Sequence, residues 1–97
     1  MRLENYLEGS ELKNVEFNED SISLAFDDNS GMTIYSNVTV DIKFTGKPLM
    51  FSSFQEFEER FELIFSPNSL VSISRTPAKN SPEIFVYRSA SGQYVID

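Results

Sequence analysis

Four carboxylates crowd one stretch of the chain, FQEFEERFE, which supplies Glu56, Glu58, Glu59 and Glu62. Two carboxylates sharing a cleft can be driven to different pKa values and then serve as acid and base, for instance on a glycosidic bond. If 56–62 were helical, Glu58 and Glu62 would share a face, with Glu59 one position round. On an exposed segment the same residues are a solvated surface. With Phe57 among them they also make an acidic surround for an aromatic, the composition of a face that recognises a basic protein. A second oxygen-rich stretch, DDNSG, holds Asp27 and Asp28. It lacks the fixed spacing of a calcium loop and the glutamate that closes one, so it reads as a turn.

Other chemistries lack their residue types. The chain contains no histidine, hence no imidazole base, no histidine metal site and no Ser-His-Asp arrangement. It contains no cysteine, which removes thiol nucleophiles, zinc-thiolate sites and disulfides. None of its four glycines builds a phosphate-cradling loop. The expectation is a protein that is not an enzyme, with no catalytic residue, metal or cofactor.

Charge narrows the partners. Fifteen acids against eight bases give a formal charge of −7. That opposes binding to nucleic-acid phosphates and to anionic membranes. Residues 1–31 carry eight acids (Glu4, Glu8, Glu11, Glu16, Glu19, Asp20, Asp27 and Asp28) against Arg2 and Lys13. The expected partner is a basic protein. Its docking face would draw on Glu56, Phe57, Glu58, Glu59 and Glu62, or on Glu19, Asp20, Asp27 and Asp28 together with Glu16. No apolar run approaches the roughly 20 residues that span a bilayer. The first ten residues, MRLENYLEGS, do not look like a secretory leader, and the reading is cytoplasmic.

These residues must be held by elements that the pattern of apolar positions predicts. LENYLEG, 3–9, forms a short helix closed by Gly9. Strands are expected at 12–18 and 21–26, with a tight turn between them. A strand or bent pair of strands runs 32–44, the bend at Ser36-Asn37 and the odd positions Thr39, Asp41 and Lys43 wet. Phe54, Phe57 and Phe61 fit a helical face, and Ser53 with Glu56 a capping box, so a short helix is expected at 53–59, followed by a strand at 60–65. Leu70 to Ser74 return. A two-proline loop, 76–82, leads into EIFVYRS, the SASG turn and a closing strand, QYVID. The dense phenylalanine group (Phe51, Phe54, Phe57, Phe61 and Phe65) reads as core, with one or two members free to anchor a partner.

SISLAFDDNSGMTIYS, 21–36, and RFELIFSPNSLVSISR, 60–75, echo one another thirty-nine residues apart. Each has an alternating arm, a polar break and a second arm. The expectation is a single domain over 1–97 with a two-hairpin repeat at about 12–36 and 51–75. Its class is α+β, predominantly antiparallel β, a curved sheet built from hairpins with one or two short helices.

LKNVEFNEDSISLAFDDNSGMTIYSNV, with the terminal EIFVYRSASGQYVID, resembles small acidic bacterial proteins of immunity or uncharacterised type. The resemblance implies a stoichiometric inhibitor that neutralises a basic protein through an acidic surface; no residue roles transfer with it. A second reading is a homodimer or other self-assembly, in which the 83–88 strand serves as an edge and pairs with its copy. A third is a small carboxylate enzyme, which requires two acids close together in a cleft.

Overall fold

Almost every period-two stretch becomes a strand in the computed structural model, which describes residues 3–76 and 83–97. Residues 77–82, the body of the expected two-proline loop, lie outside the described residues. The elements are α1 (Leu3–Leu7), β1 (Glu11–Phe17), β2 (Ile22–Phe26), β3 (Gly31–Ile34), β4 (Val38–Asp41), β5 (Leu49–Glu56), β6 (Arg60–Ser66), β7 (Ser69–Ser74), β8 (Phe85–Arg88) and β9 (Tyr94–Ile96). They form one nine-stranded sheet in the order β4-β7-β6-β5-β1-β2-β3-β8-β9, every neighbouring pair antiparallel. The fold is therefore mostly antiparallel β with one short helix among the described residues.

The helix expected at 53–59 is not there: 49–56 is strand and 57–59 is a turn. The cause is a bulge. β5 pairs with β6 through Phe51↔Phe65 and then Ser53↔Ile64, so one extra residue enters the strand. A bulge converts the two-residue step of a strand into a three-residue step. Phe51 and Phe54 thus both pack against the core, with ring centroids 6.2 Å from Phe65 and 5.4 Å from Phe61 respectively. Their spacing counterfeits a helical period. Glu58 and Glu62 consequently share no helix face; Glu58 is in the turn and Glu62 on β6.

The two meanders β1-β2-β3 and β5-β6-β7 share one register at a separation of thirty-nine residues. Ile22↔Ile34 and Leu24↔Met32 in the first correspond to Phe61↔Ile73 and Leu63↔Val71 in the second. The bulge between Phe51 and Ser53 has its counterpart between Leu12 and Asn14. Fourth strands are exchanged. β4, which follows the first meander, pairs with β7, and β8, which follows the second, pairs with β3. Residues 31–41 are thus a bent pair of strands, bent at 35–37. Along them Thr39, Asp41 and Lys43 face solvent as expected, whereas Phe44, expected to keep the inward parity, is 59% exposed beyond the end of β4.

This exchange curls the sheet. β3 and β4 stand six strand intervals apart in the order, which in a flat sheet would be about 29 Å. The link from Ile34 to Val38 can span at most about 14 Å. The sheet must roll until these strands approach, and the two crossing links then bond: Tyr35 N donates to Ile84 O at 2.8 Å, and Ser74 N to Asn37 O at 2.9 Å. The rolled interior holds Leu24, Met32, Ile34, Phe61, Leu63, Phe65, Val71, Ile73, Phe85 and Tyr87, with Leu3 and Leu7 of α1 also fully buried. Gly9, at φ +79°, ends α1 as expected. The 83–88 stretch, expected to offer a free edge, does not. β8 lies between β3 and β9, and the edges are β4 and β9.

Candidate functional site

At the β5–β6 turn, Phe57 N donates to Arg60 O at 2.9 Å. The Arg60 guanidinium lies over the Phe57 ring, 4.2 Å from its centroid, and its Nε donates to Glu62 Oε2 at 2.8 Å. Arg75 comes in from the end of β7. Its Nη1 donates to Phe57 O at 2.6 Å, its guanidinium sits 4.6 Å from the Phe61 centroid, and Glu56 Oε2 is 3.9 Å away. Glu56 and Glu62 are therefore neutralised from within, and Phe57 is already partnered by a cation. Glu58 and Glu59, at the tip, are exposed.

The β1–β2 turn is closed by the equivalent backbone bond, Asn18 N to Ser21 O at 2.8 Å, and by Asn18 Nδ2 donating to Ser23 Oγ at 3.2 Å. At a separation of thirty-nine residues Glu19 matches Glu58 and Asp20 matches Glu59. Ion pairs among the described residues join Lys13 to Glu11, Lys43 to Asp41, Arg60 to Glu62 and Arg75 to Glu56. Glu16, Glu19 and Asp20 take part in none of them. Beside this acid pair lies a cleft of about 380 Å³ walled by Phe17, Ile22, Tyr35 and Val38, with Glu19 and Asp20 on its rim. No described lysine or arginine lines it. Phe17 is 68% exposed: it shares a face with Val15, but β1 has run past the core by that point.

A smaller cleft of about 260 Å³ holds Glu59 and Arg60, and it shares Asn37 and Val38 with the first. The rolled sheet thus sets both acidic turns against the same link between β3 and β4. Asp27 and Asp28 are elsewhere, at the far end of β2, about 17 Å of strand away. Both are occupied structurally. Asp27 Oδ1 accepts from Glu11 N at 2.9 Å, and Asp28 Oδ1 accepts from Ser30 N at 3.0 Å and from Ser30 Oγ. Asn29, at φ 68°, completes the turn in the left-handed conformation that asparagine tolerates. Among the described residues no group of three or more carboxylates is placed to hold a metal ion. None of the described helices is long and apolar enough to cross a membrane.

Ser30 also hydrogen-bonds the buried Tyr87 hydroxyl, within the field of the Asp28 carboxylate. Burial pushes this phenol above its ordinary 10.0; the Ser30 hydrogen bond pulls it down, while the Asp28 carboxylate and Tyr6 raise it. The unfolded chain therefore loses this proton first as pH rises, and stability falls above about pH 10. Tyr87→Phe should cost about 1 kcal/mol at neutral pH through the lost hydrogen bond. Its urea midpoint should then fall less than the parent's between neutral pH and strong alkali. Equal alkaline losses in both proteins would show that Tyr87 does not carry the effect.

The chain matches no protein-family model, no curated protein and no solved structure. The site thus rests on its geometry. Sequence patterning named Glu19 and Asp20 but missed the apolar walls, Phe17, Ile22, Tyr35 and Val38. Phe17 reads as one more inward residue of an alternating strand, and Tyr35 and Val38 reach the cleft only because β4 leaves for the other meander.

Proposed function

We propose that this chain is a protein-binding module, of the stoichiometric-inhibitor kind, which docks a basic partner protein through its acidic turns. The observation that carries this reading is the pair Glu19 and Asp20, unpaired by any described cation, on the rim of the cleft beside the exposed Phe17. Acid-rich rims with an aromatic anchor suit a basic surface, since charge steers the encounter and the aromatic supplies buried area. The resemblance to immunity-type proteins points the same way.

The test is a capture experiment from the native organism, with low-salt and high-salt washes. One basic protein should be retained stoichiometrically at low salt and lost at high salt, because charges more than about 10 Å apart are screened at 0.1 M. It should also be lost when the bait carries Glu19→Lys and Asp20→Lys. Retention that ignores both salt and these substitutions would remove the acidic turns from the interface.

A second reading attaches to β9 rather than β8. This edge strand, Tyr94-Val95-Ile96, has no charged residue, and Tyr94 and Ile96 are 61% and 59% exposed. Uncharged edges invite pairing with a second copy. Light scattering across a dilution series decides: a mass that doubles with concentration, and that Ile96→Pro, at an outward-facing N–H of the edge, holds at the monomer, supports self-association, and a constant monomer mass ends it.

A further inference from the structure

The two acidic turns are built to the same plan but filled differently. In the β5–β6 turn the chain supplies its own cations, Arg60 and Arg75, which lie over Phe57 and Phe61. Thirty-nine residues earlier, the places of Arg60 and Arg75 are taken by Ser21 and Ser36. The tip acids Glu58 and Glu59 are retained as Glu19 and Asp20, whereas the groups that hold the two guanidiniums, Phe57, Phe61, Glu56 and Glu62, give way to Asn18, Ile22, Phe17 and Ser23; the aromatic faces on this side are the exposed Phe17 and the half-buried Tyr35 beside the cleft. Ser36 cannot stand in for an arginine: it is buried, and its Oγ donates to Ser74 O at 2.7 Å.

We infer that the cleft between the β1–β2 turn and the 35–38 link is a guanidinium site, which takes an arginine side chain of the basic partner against Phe17 and Tyr35, with Glu19 and Asp20 at its rim. The inference rests on the protein-binding reading above and narrows it from a basic partner to an arginine anchor. The chemistry favours arginine over lysine. A guanidinium is planar, stacks on aromatic faces, gives up its hydration more readily than an ammonium, and offers a fork of donors to carboxylates. Phe17 and Tyr35 would provide faces for stacking, and Glu19 and Asp20 acceptors at the rim. Carboxylates alone would not discriminate; the aromatic walls are what make the site selective.

The probe is an oligo-arginine peptide, compared with an oligo-lysine peptide of equal length, each titrated into the isotope-labelled protein and followed by amide chemical shifts. Arginine should perturb 17–22 and 35–38 saturably and bind about tenfold tighter than lysine. Phe17→Ala, at an exposed position, should weaken the arginine peptide about two- to fivefold, the scale of one exposed cation–π contact, and weaken the lysine peptide less. Ser21→Arg should close the site from within and abolish the localised shifts. Thr45→Arg, which adds the same charge at an exposed position away from the cleft, should not.

Equal binding of the two peptides, with shifts spread over all the acidic residues, would overturn the arginine site and leave a diffuse acidic surface. Binding that survives Ser21→Arg as well as it survives Thr45→Arg would overturn it too. Failure of both peptides to bind would count against the protein-binding reading itself.

Discussion

Phe61→Ala should remove about 3–5 kcal/mol of stability, a large share of the 5–15 kcal/mol that a small domain has. Phe61 is fully buried, at 0% exposure. Its ring stacks on Phe54 at 5.4 Å, meets Phe85 edge-on at 5.6 Å and carries the Arg75 guanidinium 4.6 Å from its centroid. These contacts join β5, β6 and β8 with the end of β7, so truncation opens a cavity where three strands and a closing link converge. Urea denaturation should show the midpoint fall without a change in slope, and melting should fall by about 15–30 °C. Phe57→Ala is the comparison. Phe57 is 37% exposed in the turn and loses chiefly its contact with Arg60, about 1 kcal/mol. If the two variants melted together, the rolled interior would not be where the structure puts it.

The same phenylalanines show what the sequence could and could not say. Strand identity was legible wherever alternation ran undisturbed, as in Phe61, Leu63 and Phe65 or Ile22, Leu24 and Phe26, because a side-chain period of two has one structural meaning. It failed at Phe51 and Phe54, where a bulge produced a helical spacing inside a strand. The matching bulge in β1 puts Leu12 and Val15 three apart, yet raised no false helix, since no further apolar residue extended that period. Partner choice among strands was not legible at all. Nothing local tells β4 to leave β3 and pair with β7, because a strand's outward and inward faces read the same against either neighbour. That choice curls the sheet and creates the cleft, so the acids of the site were visible in the sequence and its walls were not.

The acids also looked equivalent in the sequence and are not so in the structure. Asp27 and Asp28 hold a turn, Glu56 and Glu62 are paired with arginines, and Glu58, Glu59, Glu19 and Asp20 are left at the two turn tips. Pairing at exposed sites is worth little to stability, so its consequence is electrostatic: it removes two of the expected binding residues from the field a partner meets. Of the residues expected to bind, those left without an ion pair or a turn to hold stand at the two tips, which border the 35–38 link.

Charge reversal at those tips should therefore slow association far more than the same reversal elsewhere. Glu19→Lys with Asp20→Lys takes the formal charge from −7 to −3, each substitution adding two. Glu4→Lys with Glu8→Lys makes the same change on and just after α1. At low salt, the first pair should cut the association rate with the captured partner by about 10- to 100-fold, within the range that electrostatic steering supplies. The α1 pair should change it severalfold at most, because long-range net charge acts weakly once local complementarity is kept. Stopped-flow mixing at two salt concentrations separates the two, since the difference must shrink as screening rises. Glu58→Lys with Glu59→Lys should fall between them, its turn being partly neutralised by Arg60 and Arg75. Dissociation should respond in the opposite order: rim charges act on encounter, and the aromatic wall acts on residence, so Phe17→Ala should shorten the bound lifetime with little effect on association. Equal slowing by all three charge reversals would mean that net charge alone draws the partner, and the turns would then have no privileged part in recognition.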